Sequence, residues 1–188
     1  MPTNLLWTGI EYHSMENCVI DISATGLKAT STIIGYYDNK IYKVTYRIIT
    51  NQNWQTVFLE VNSRHSNENR TMQFVGDGNG NWTNAGMKND YLTGCIDLDI
   101  SLTPFTNTLP IRRLGLKDNQ AAEIKVIYCD ILNNQIKPVL QRYTRISSTE
   151  YLYQNVVDDF EATIKVDESG LVVDYPALFT RTAAEFAR

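Results

Sequence analysis

The sequence lacks the features of secreted, membrane-spanning and nucleic-acid-binding proteins. Its 17 lysines and arginines are outnumbered by 21 aspartates and glutamates, and the resulting net charge of −4 argues against a nucleic-acid partner. No stretch free of charged residues exceeds 12 residues, well below the roughly 18 apolar residues of a membrane-spanning helix. The N-terminus carries neither a basic region nor an apolar run of signal-peptide length. We therefore expect no transmembrane segment and a cytoplasmic location.

Cysteine is scarce, and the known catalytic motifs are missing. Cys18, Cys95 and Cys129 are odd in number and form no Cys-x-x-Cys motif. Together with the lack of a secretion signal, this predicts three reduced, mostly buried thiols. Gly-x-Ser-x-Gly, His-Glu-x-x-His and glycine-rich phosphate-binding motifs are also absent. We accordingly expect no metal and no cofactor.

What the sequence does contain is a long series of alternating apolar and polar residues. Between Ile41 and Ile49, for example, tyrosine, valine and isoleucine alternate with Lys43, Thr45 and Arg47, which is typical of a strand with one buried face. The same analysis predicts strands at 5–13, 16–23, 28–37, 40–50, 54–63, 69–75, 93–99, 111–116, 122–131, 136–147, 150–156, 160–166 and 171–174. So many sequential strands should curl into a barrel or roll.

The predicted fold is therefore all-β and mainly antiparallel, in a single domain spanning residues 1–188. Short connections between the strands favour antiparallel neighbours. Strands should account for more than half of the residues, and helix should be limited to short pieces. Pro176 suits the first position of one such helix, near residues 176–187.

The most unusual stretch is Gly94–Leu114, GCIDLDISLTPFTNTLPIRRL. Asp97 and Asp99 are two residues apart on a predicted strand, so their side chains point to the same face. They could form an acid/base pair, a solvated face, or ion pairs with nearby arginines. The two prolines that follow predict a departure from regular strand pairing, either at a corner of the fold or at the rim of a pocket. We predict that one of the two aspartates pairs with Arg112, Arg113 or Arg142.

This stretch resembles the signature of the bacterial putative glycolipid-binding family. The similarity continues in Gln141-Arg142-Tyr143-Thr144 and in the closing segment VDESGLVVDYP at 166–176. Upstream, Tyr42–Tyr46 resembles the family's Tyr-x-Val-x-Tyr strand, and Asn53-Trp54 its tryptophan-bearing strand. The resemblance implies a spiral β-roll, an open barrel similar to carriers of bacterial lipoproteins.

The resemblance favours a binding protein that holds a glycolipid or another lipid in a curved sheet. Plausible lining residues are the aromatic side chains, since aromatic faces suit both acyl chains and sugar rings. These are Trp7, Tyr42, Tyr46, Trp54, Phe58 and Tyr143. The polar candidates for a headgroup are Asp97, Asp99, Asn107, Arg112, Arg113 and Arg142.

Two other functions remain open at this point. One is a hydrolase or isomerase that uses Asp97 and Asp99 as a convergent pair in a cleft. The other is a structural or interaction protein without a small ligand, in which aspartate–arginine pairs are enclosed by protein. The three functions differ in whether a pocket lies beside the two carboxylates and whether both side chains face it.

Overall fold

The computed structural model describes residues 2–157 and 159–186, of which 61% lie in strands. The strands are β1 (Thr3–Gly9), β2 (Ser14–Ser23), β3 (Gly26–Tyr37), β4 (Lys40–Thr50), β5 (Thr56–His65), β6 (Glu68–Gly76), β7 (Trp82–Asn84), β8 (Met87–Lys88), β9 (Asp97–Ile100), β10 (Ala121–Asp130), β11 (Gln135–Arg145), β12 (Glu150–Asn155), β13 (Phe160–Val166), β14 (Val172–Tyr175) and β15 (Phe179–Glu185). The described residues also include one α-helix, α1 (Phe105–Leu114), and a 3₁₀ turn at Asp90–Leu92. The prediction of an all-β fold is confirmed.

All the strands belong to one sheet, and their spatial order explains how the chain is wound. The order is β8-β7-β6-β5-β4-β3-β2-β1-β15-β14-β13-β12-β11-β10-β9. The first half of the chain runs from the middle of the sheet to one edge. The second half begins at the opposite edge and returns to the middle, where β15 pairs with β1. Most neighbours are antiparallel and joined by short turns.

The hairpin turns follow from residues that accept a left-handed backbone. Asp38 and Asn39 have φ of 48° and 58° between β3 and β4, and Ser66 and Asn67 have φ of 52° and 61° between β5 and β6. Two consecutive residues with positive φ give the turn whose twist matches that of the flanking strands. These turns set the register of the β3–β4 and β5–β6 hairpins.

The pair β9–β10 departs from the antiparallel pattern, because these strands run parallel. Parallel neighbours need a crossover connection, and α1 supplies it. The predicted strand at 111–116 is therefore wrong, whereas the departure from strand pairing expected at Pro104 and Pro110 is confirmed, although the segment forms a helix. Propensity misled the prediction because packing decides this segment: every residue from Phe105 to Ile111 is buried. Gly115, with φ of 53°, ends the helix in the left-handed conformation.

Helix α1 lies between the two halves of the rolled sheet. The ring of Phe105 stacks on Tyr46 of β4, with ring centroids 6.3 Å apart. Two residues further along the helix, Asn107 accepts a hydrogen bond of 2.8 Å from the hydroxyl of Tyr143 on β11. One short helix thus contacts strands that are far apart in the sheet order. The space that a curved sheet could offer to a large apolar ligand is occupied by this helix.

The expected C-terminal helix is replaced by a strand. Phe179–Glu185 forms β15, and Leu5 of β1 pairs with Ala184. Pairing with both β1 and β14 satisfies the backbone groups of this segment. Pro176 and Ala177, the latter with φ of 64°, form the centre of a turn that the amide of Leu178 closes by donating to the carbonyl of Tyr175. The last residue of the predicted helix, at position 187, lies outside the described residues.

Within residues 2–157 and 159–186, no helix is long and apolar enough to cross a membrane.

The three cysteines lead to a prediction about thiol reactivity. Cys18, Cys95 and Cys129 are free and buried. Burial raises the pKa of the Cys95 thiol to about 11 and holds those of Cys18 and Cys129 well above the ordinary range. Because the thiolate is the reactive form, we expect the folded protein to react slowly with a thiol reagent near pH 8.5. Titration after unfolding without reductant should find three free thiols, and a single one would reveal a disulfide.

Candidate functional site

The signature stretch folds back on itself through an ion pair. Asp97 is completely buried on β9, and Arg113 reaches it from the last turn of α1. Nε of Arg113 lies 3.0 Å from Oδ1, and its terminal nitrogen lies 2.6 Å from Oδ2. Burial raises the pKa of Asp97, and the bidentate guanidinium opposes that shift. The predicted aspartate–arginine pair is present and joins both ends of the β9–α1 unit.

A second set of contacts holds the start of the helix. The backbone amide of Ile100 donates to Oγ1 of Thr106 at 3.3 Å, and the amide of Phe105 donates to Oγ1 of Thr103 at 3.1 Å. These threonines satisfy backbone groups where the strand ends and the helix begins. The threonines of the stretch TPFTNT therefore stabilise this strand-to-helix turn.

Asp99 has a different environment from Asp97. It lines a cavity of about 300 Å³ and accepts a hydrogen bond of 2.6 Å from Nε2 of Gln141. No arginine or lysine lines this cavity in the described part of the chain. Burial raises the pKa of Asp99 to about 6, which the hydrogen bond from Gln141 offsets only in part.

The rest of the cavity wall is rich in aromatic and amide side chains. Its lining includes Tyr12, Asn107, Tyr128, Tyr153, Asn155, Phe160, Tyr175 and Phe179, together with a second acidic residue, Glu11. Several of these rings contact one another edge-on, with Tyr153 and Tyr175 at 6.0 Å between centroids. The volume is at the lower end of the range for small-molecule sites. The arrangement can surround a small polar ligand with rings and offer it a carboxylate.

The structure separates the residues predicted to bind a ligand. Asp99 and Asn107 line the cavity, and Tyr143 lies behind it as the hydrogen-bond partner of Asn107. Asp97 and Arg113 form the buried pair beside them. These five residues come from β9, α1 and β11 and make one connected cluster.

The other predicted residues lie elsewhere. Arg112 is exposed, donates to the carbonyl of Ser169 at 3.2 Å, and covers the ring of Trp54 at 4.9 Å. Arg142 is exposed and pairs with Glu123 at 3.2 Å. None of these side chains lines the Asp99 cavity.

Tyr46 and other expected lining aromatics also lie outside this cavity. Trp7 and Tyr42 are buried in the roll, where the indole of Trp7 donates to the carbonyl of Val172 at 3.0 Å. Phe58 is half-buried beneath the guanidinium of Arg47. The lining of the Asp99 cavity contains none of Trp7, Tyr42, Tyr46 and Phe58. Its aromatic wall therefore consists of different rings from those expected.

Sequence reasoning missed a buried carboxyl group. Glu16 points into the roll from β2, and its Oε1 accepts hydrogen bonds of 2.7 Å from Ser31 and from Tyr46. Its Oε2 is buried and has no hydrogen-bond partner among the described residues. Burial raises the pKa of Glu16 to about 7. The alternation Ser14, Glu16, Cys18 along β2 places it on the inner face and was the one available signal.

In the described part of the chain, no group of three or more histidine, cysteine, aspartate or glutamate side chains is placed to hold a metal ion.

The Asp97–Arg113 pair predicts unequal effects of replacing two neighbouring arginines. Arg113→Ala leaves the carboxylate of Asp97 buried and unpaired, so we expect a loss of about 3–5 kcal/mol in the free energy of unfolding. Arg112→Ala is the matched control, and it should cost about 1 kcal/mol or less because Arg112 is exposed. Urea denaturation of both variants measures the difference. Equal losses would contradict a structural role for the pair.

Glu16 predicts a specific dependence of stability on pH. In the unfolded chain its carboxyl ionises near 4.5, whereas in the folded protein it ionises near 7. The contribution of Glu16 to stability should therefore be present below the lower value and be lost as the pH rises through this interval, by about 3 kcal/mol. Glu16→Gln should reduce the fall in stability over this interval by that amount, whereas Glu123→Gln, on the exposed surface, should leave the fall unchanged. Denaturant titrations across the interval that give parallel curves for wild type and Glu16→Gln would refute the assignment.

Comparison with known proteins identifies the relatives of this chain. The sequence matches the profile of the family described as "Putative glycolipid-binding" over residues 4–181. The crystal structure of a DUF1089 family protein from Pseudomonas aeruginosa is 33% identical, with a TM-score of 0.79, and the alignment covers 88% of this chain and 91% of that chain. A β-barrel-like protein of the DUF1849 family from Brucella abortus shares the fold alone, at 9% identity, with a TM-score of 0.52 and coverage of 98% and 97%.

No curated protein matched the sequence. The family profile nevertheless spans almost the whole sequence, and it agrees with the resemblance carried by the stretch at Gly94–Leu114. The chain therefore belongs to the putative glycolipid-binding family.

Proposed function

We propose that this protein binds the sugar end of a glycolipid in the cavity beside Asp99. The observation that carries the proposal is the composition of the cavity wall, where two carboxyl groups, those of Asp99 and Glu11, and two amides, those of Asn107 and Asn155, lie among tyrosine and phenylalanine rings. Family membership favours a glycolipid as the ligand, and the composition of the cavity wall favours its sugar end as the part that binds here.

The chemistry of a sugar fits such a wall. Hydroxyl groups donate hydrogen bonds to a carboxylate, and a carboxylate has about four lone-pair sites, so Asp99 can accept further bonds beside the one from Gln141. The apolar face of a sugar ring packs on aromatic side chains, as at other small-ligand sites. An exclusively apolar ligand would donate no hydrogen bond to the carboxylate of Asp99. The sugar end of a glycolipid therefore suits this cavity better than its lipid chain.

The position of α1 restricts where the lipid chain of the ligand can lie. Phe105, Leu109 and Ile111 are buried within the roll beside the cavity. The acyl chains must therefore leave the cavity toward the protein surface. The protein would hold the headgroup and leave the chains accessible to a membrane or a partner.

The geometry gives less support to a hydrolase or isomerase that uses both aspartates. Asp97 is bound by both nitrogens of the Arg113 fork and does not line the cavity. A binding role needs only Asp99, whereas the acid/base pair needs both carboxylates to converge.

We place this binding role in a reducing cytoplasm, because the three cysteines are free.

Asp99→Asn tests the proposal with octyl glucoside as a soluble probe. Replacing the carboxylate removes a charged hydrogen-bond acceptor, which contributes about 1.5–3 kcal/mol, so we expect binding to weaken about 10- to 100-fold. The wild-type affinity should fall as the pH drops through about 6, where Asp99 takes up a proton, and the variant should show no such dependence. Isothermal titration calorimetry over this pH range measures both effects.

A matched pair of aromatic variants provides the control. Phe160→Ala removes a ring from the cavity wall, whereas Phe186→Ala removes an exposed ring that packs near Arg181. Only the first should weaken binding of octyl glucoside. The proposal is wrong if wild type binds no alkyl glycoside, or if Asp99→Asn and Phe160→Ala both bind like wild type.

A further inference from the structure

A second depression lies at one end of the roll, between the β3–β4 and β5–β6 hairpins. It has a volume of about 550 Å³, and its lining carries three cationic side chains, Lys40, Lys43 and Arg64. Among the described residues, no aspartate or glutamate lines it. The depression is thus locally positive in a protein whose net charge is −4.

The positive charges of Lys43 and Arg64 are not used within the described structure. The two residues are direct cross-strand partners on β4 and β5, both are exposed, and neither forms a salt bridge in the described part of the chain. Like charges directly opposite one another destabilise a sheet. The nearby carboxylates do not compensate, because Asp38 pairs with Lys40 and Glu68 pairs with Arg70. An anion between the two cations would relieve their repulsion.

Apolar side chains lie beside these cations on the same outer face. Ile34 is the cross-strand partner of Lys43, and Met15 is the partner of Ile34, so the row Met15, Ile34, Lys43, Arg64 crosses four neighbouring strands. Ile34 is 57% exposed, and Ile41, in the wall of the depression, is 77% exposed. The surface therefore combines free cations with projecting apolar side chains.

A buried histidine adds unused hydrogen-bonding capacity to the same wall. His65 lines the depression and is only 5% exposed, yet its Nε2 has no hydrogen-bond partner among the described residues. Burying a polar nitrogen without a partner costs free energy. Contacts among the described residues do not compensate for this cost or for the repulsion between Lys43 and Arg64.

We propose that this end of the roll binds the surface of an anionic membrane, with a lipid phosphate between Lys43 and Arg64 and with Ile34 and Ile41 in the headgroup layer. Cations beside exposed aliphatic side chains match the charge and the polarity of that layer. A nucleic acid would be matched by a longer basic surface without projecting isoleucines. The proposal adds a membrane contact to the sugar-binding role and does not depend on it.

Co-sedimentation with lipid vesicles tests the proposal on the full chain. We expect binding to vesicles of phosphatidylglycerol and phosphatidylcholine in equal amounts, little binding to pure phosphatidylcholine, and loss of binding near 1 M salt, where the Debye length is about 3 Å. Each cation at a membrane surface contributes roughly fivefold in affinity, so Lys43→Gln/Arg64→Gln should weaken binding about thirtyfold. The double variant should still bind octyl glucoside like wild type.

Two controls separate this site from general charge effects. Lys117→Gln/Lys165→Gln removes two exposed cations elsewhere and should bind vesicles like wild type. Ile41→Ser should weaken vesicle binding, whereas Met87→Ser, which alters a side chain of similar exposure, should not. The proposal is overturned if the wild-type protein does not bind anionic vesicles. It is also overturned if Lys43→Gln/Arg64→Gln and Lys117→Gln/Lys165→Gln weaken vesicle binding equally.

The source of the phosphate is tested by titration with inorganic phosphate and glycerol phosphate. Saturable binding of either compound at this site, with an affinity equal to that for vesicles, would identify a soluble phosphate ligand and overturn the membrane assignment. Asp99→Asn should retain wild-type vesicle binding. The two proposals therefore fail independently: absence of glycoside binding contradicts the sugar site, and absence of vesicle binding contradicts the membrane site.

Discussion

The ion pair between Asp97 and Arg113 is the interaction on which the rest of the structure depends. It joins a completely buried carboxylate on the edge strand β9 to the end of α1, so it holds the helix inside the roll. A parallel strand at a sheet edge needs a crossover, and here the crossover is buried between the two halves of the sheet. Replacing buried ion pairs by apolar residues often stabilises proteins, so this pair is better explained by the specific position that a fork of two hydrogen bonds gives to the helix.

Filling the roll with its own helix changes what the fold can bind. Phe105 packs on Tyr46 from one half of the sheet, and Asn107 bonds to Tyr143 from the other, so the helix fills part of the interior of the roll. What remains beside the helix is a compact cavity with Asp99 in its wall. In the proposed function, the position of the helix favours recognition of the headgroup over recognition of the lipid chain.

Sequence alone predicted those parts of the structure that depend on local periodicity. The alternation in Ile41–Ile49 and Phe160–Val166 predicted strands close to their observed limits. The two same-face aspartates and the nearby arginines predicted an ion pair without specifying its members, which are Asp97 and Arg113. The helix at Phe105–Leu114 was missed because one proline, Pro110, and two threonines disfavour it locally, and the burial of Phe105 to Ile111 compensates. The cavity was missed for another reason: its rings come from distant strands, and nothing in the order of residues shows which of eleven tyrosines meet.

The two aspartates of the signature show how one face of one strand can serve two purposes. Both side chains leave β9 on the same side, and burial raises the pKa of both. Arg113 binds both oxygens of Asp97, which is completely buried and does not line the cavity. Gln141 donates one hydrogen bond to Asp99 and carries no charge, and Asp99 lies in the cavity wall. The two carboxylates therefore differ in what surrounds them: a guanidinium holds the first as a structural ion pair, whereas a neutral amide leaves the second with lone pairs and no cationic partner among the described residues of the cavity wall.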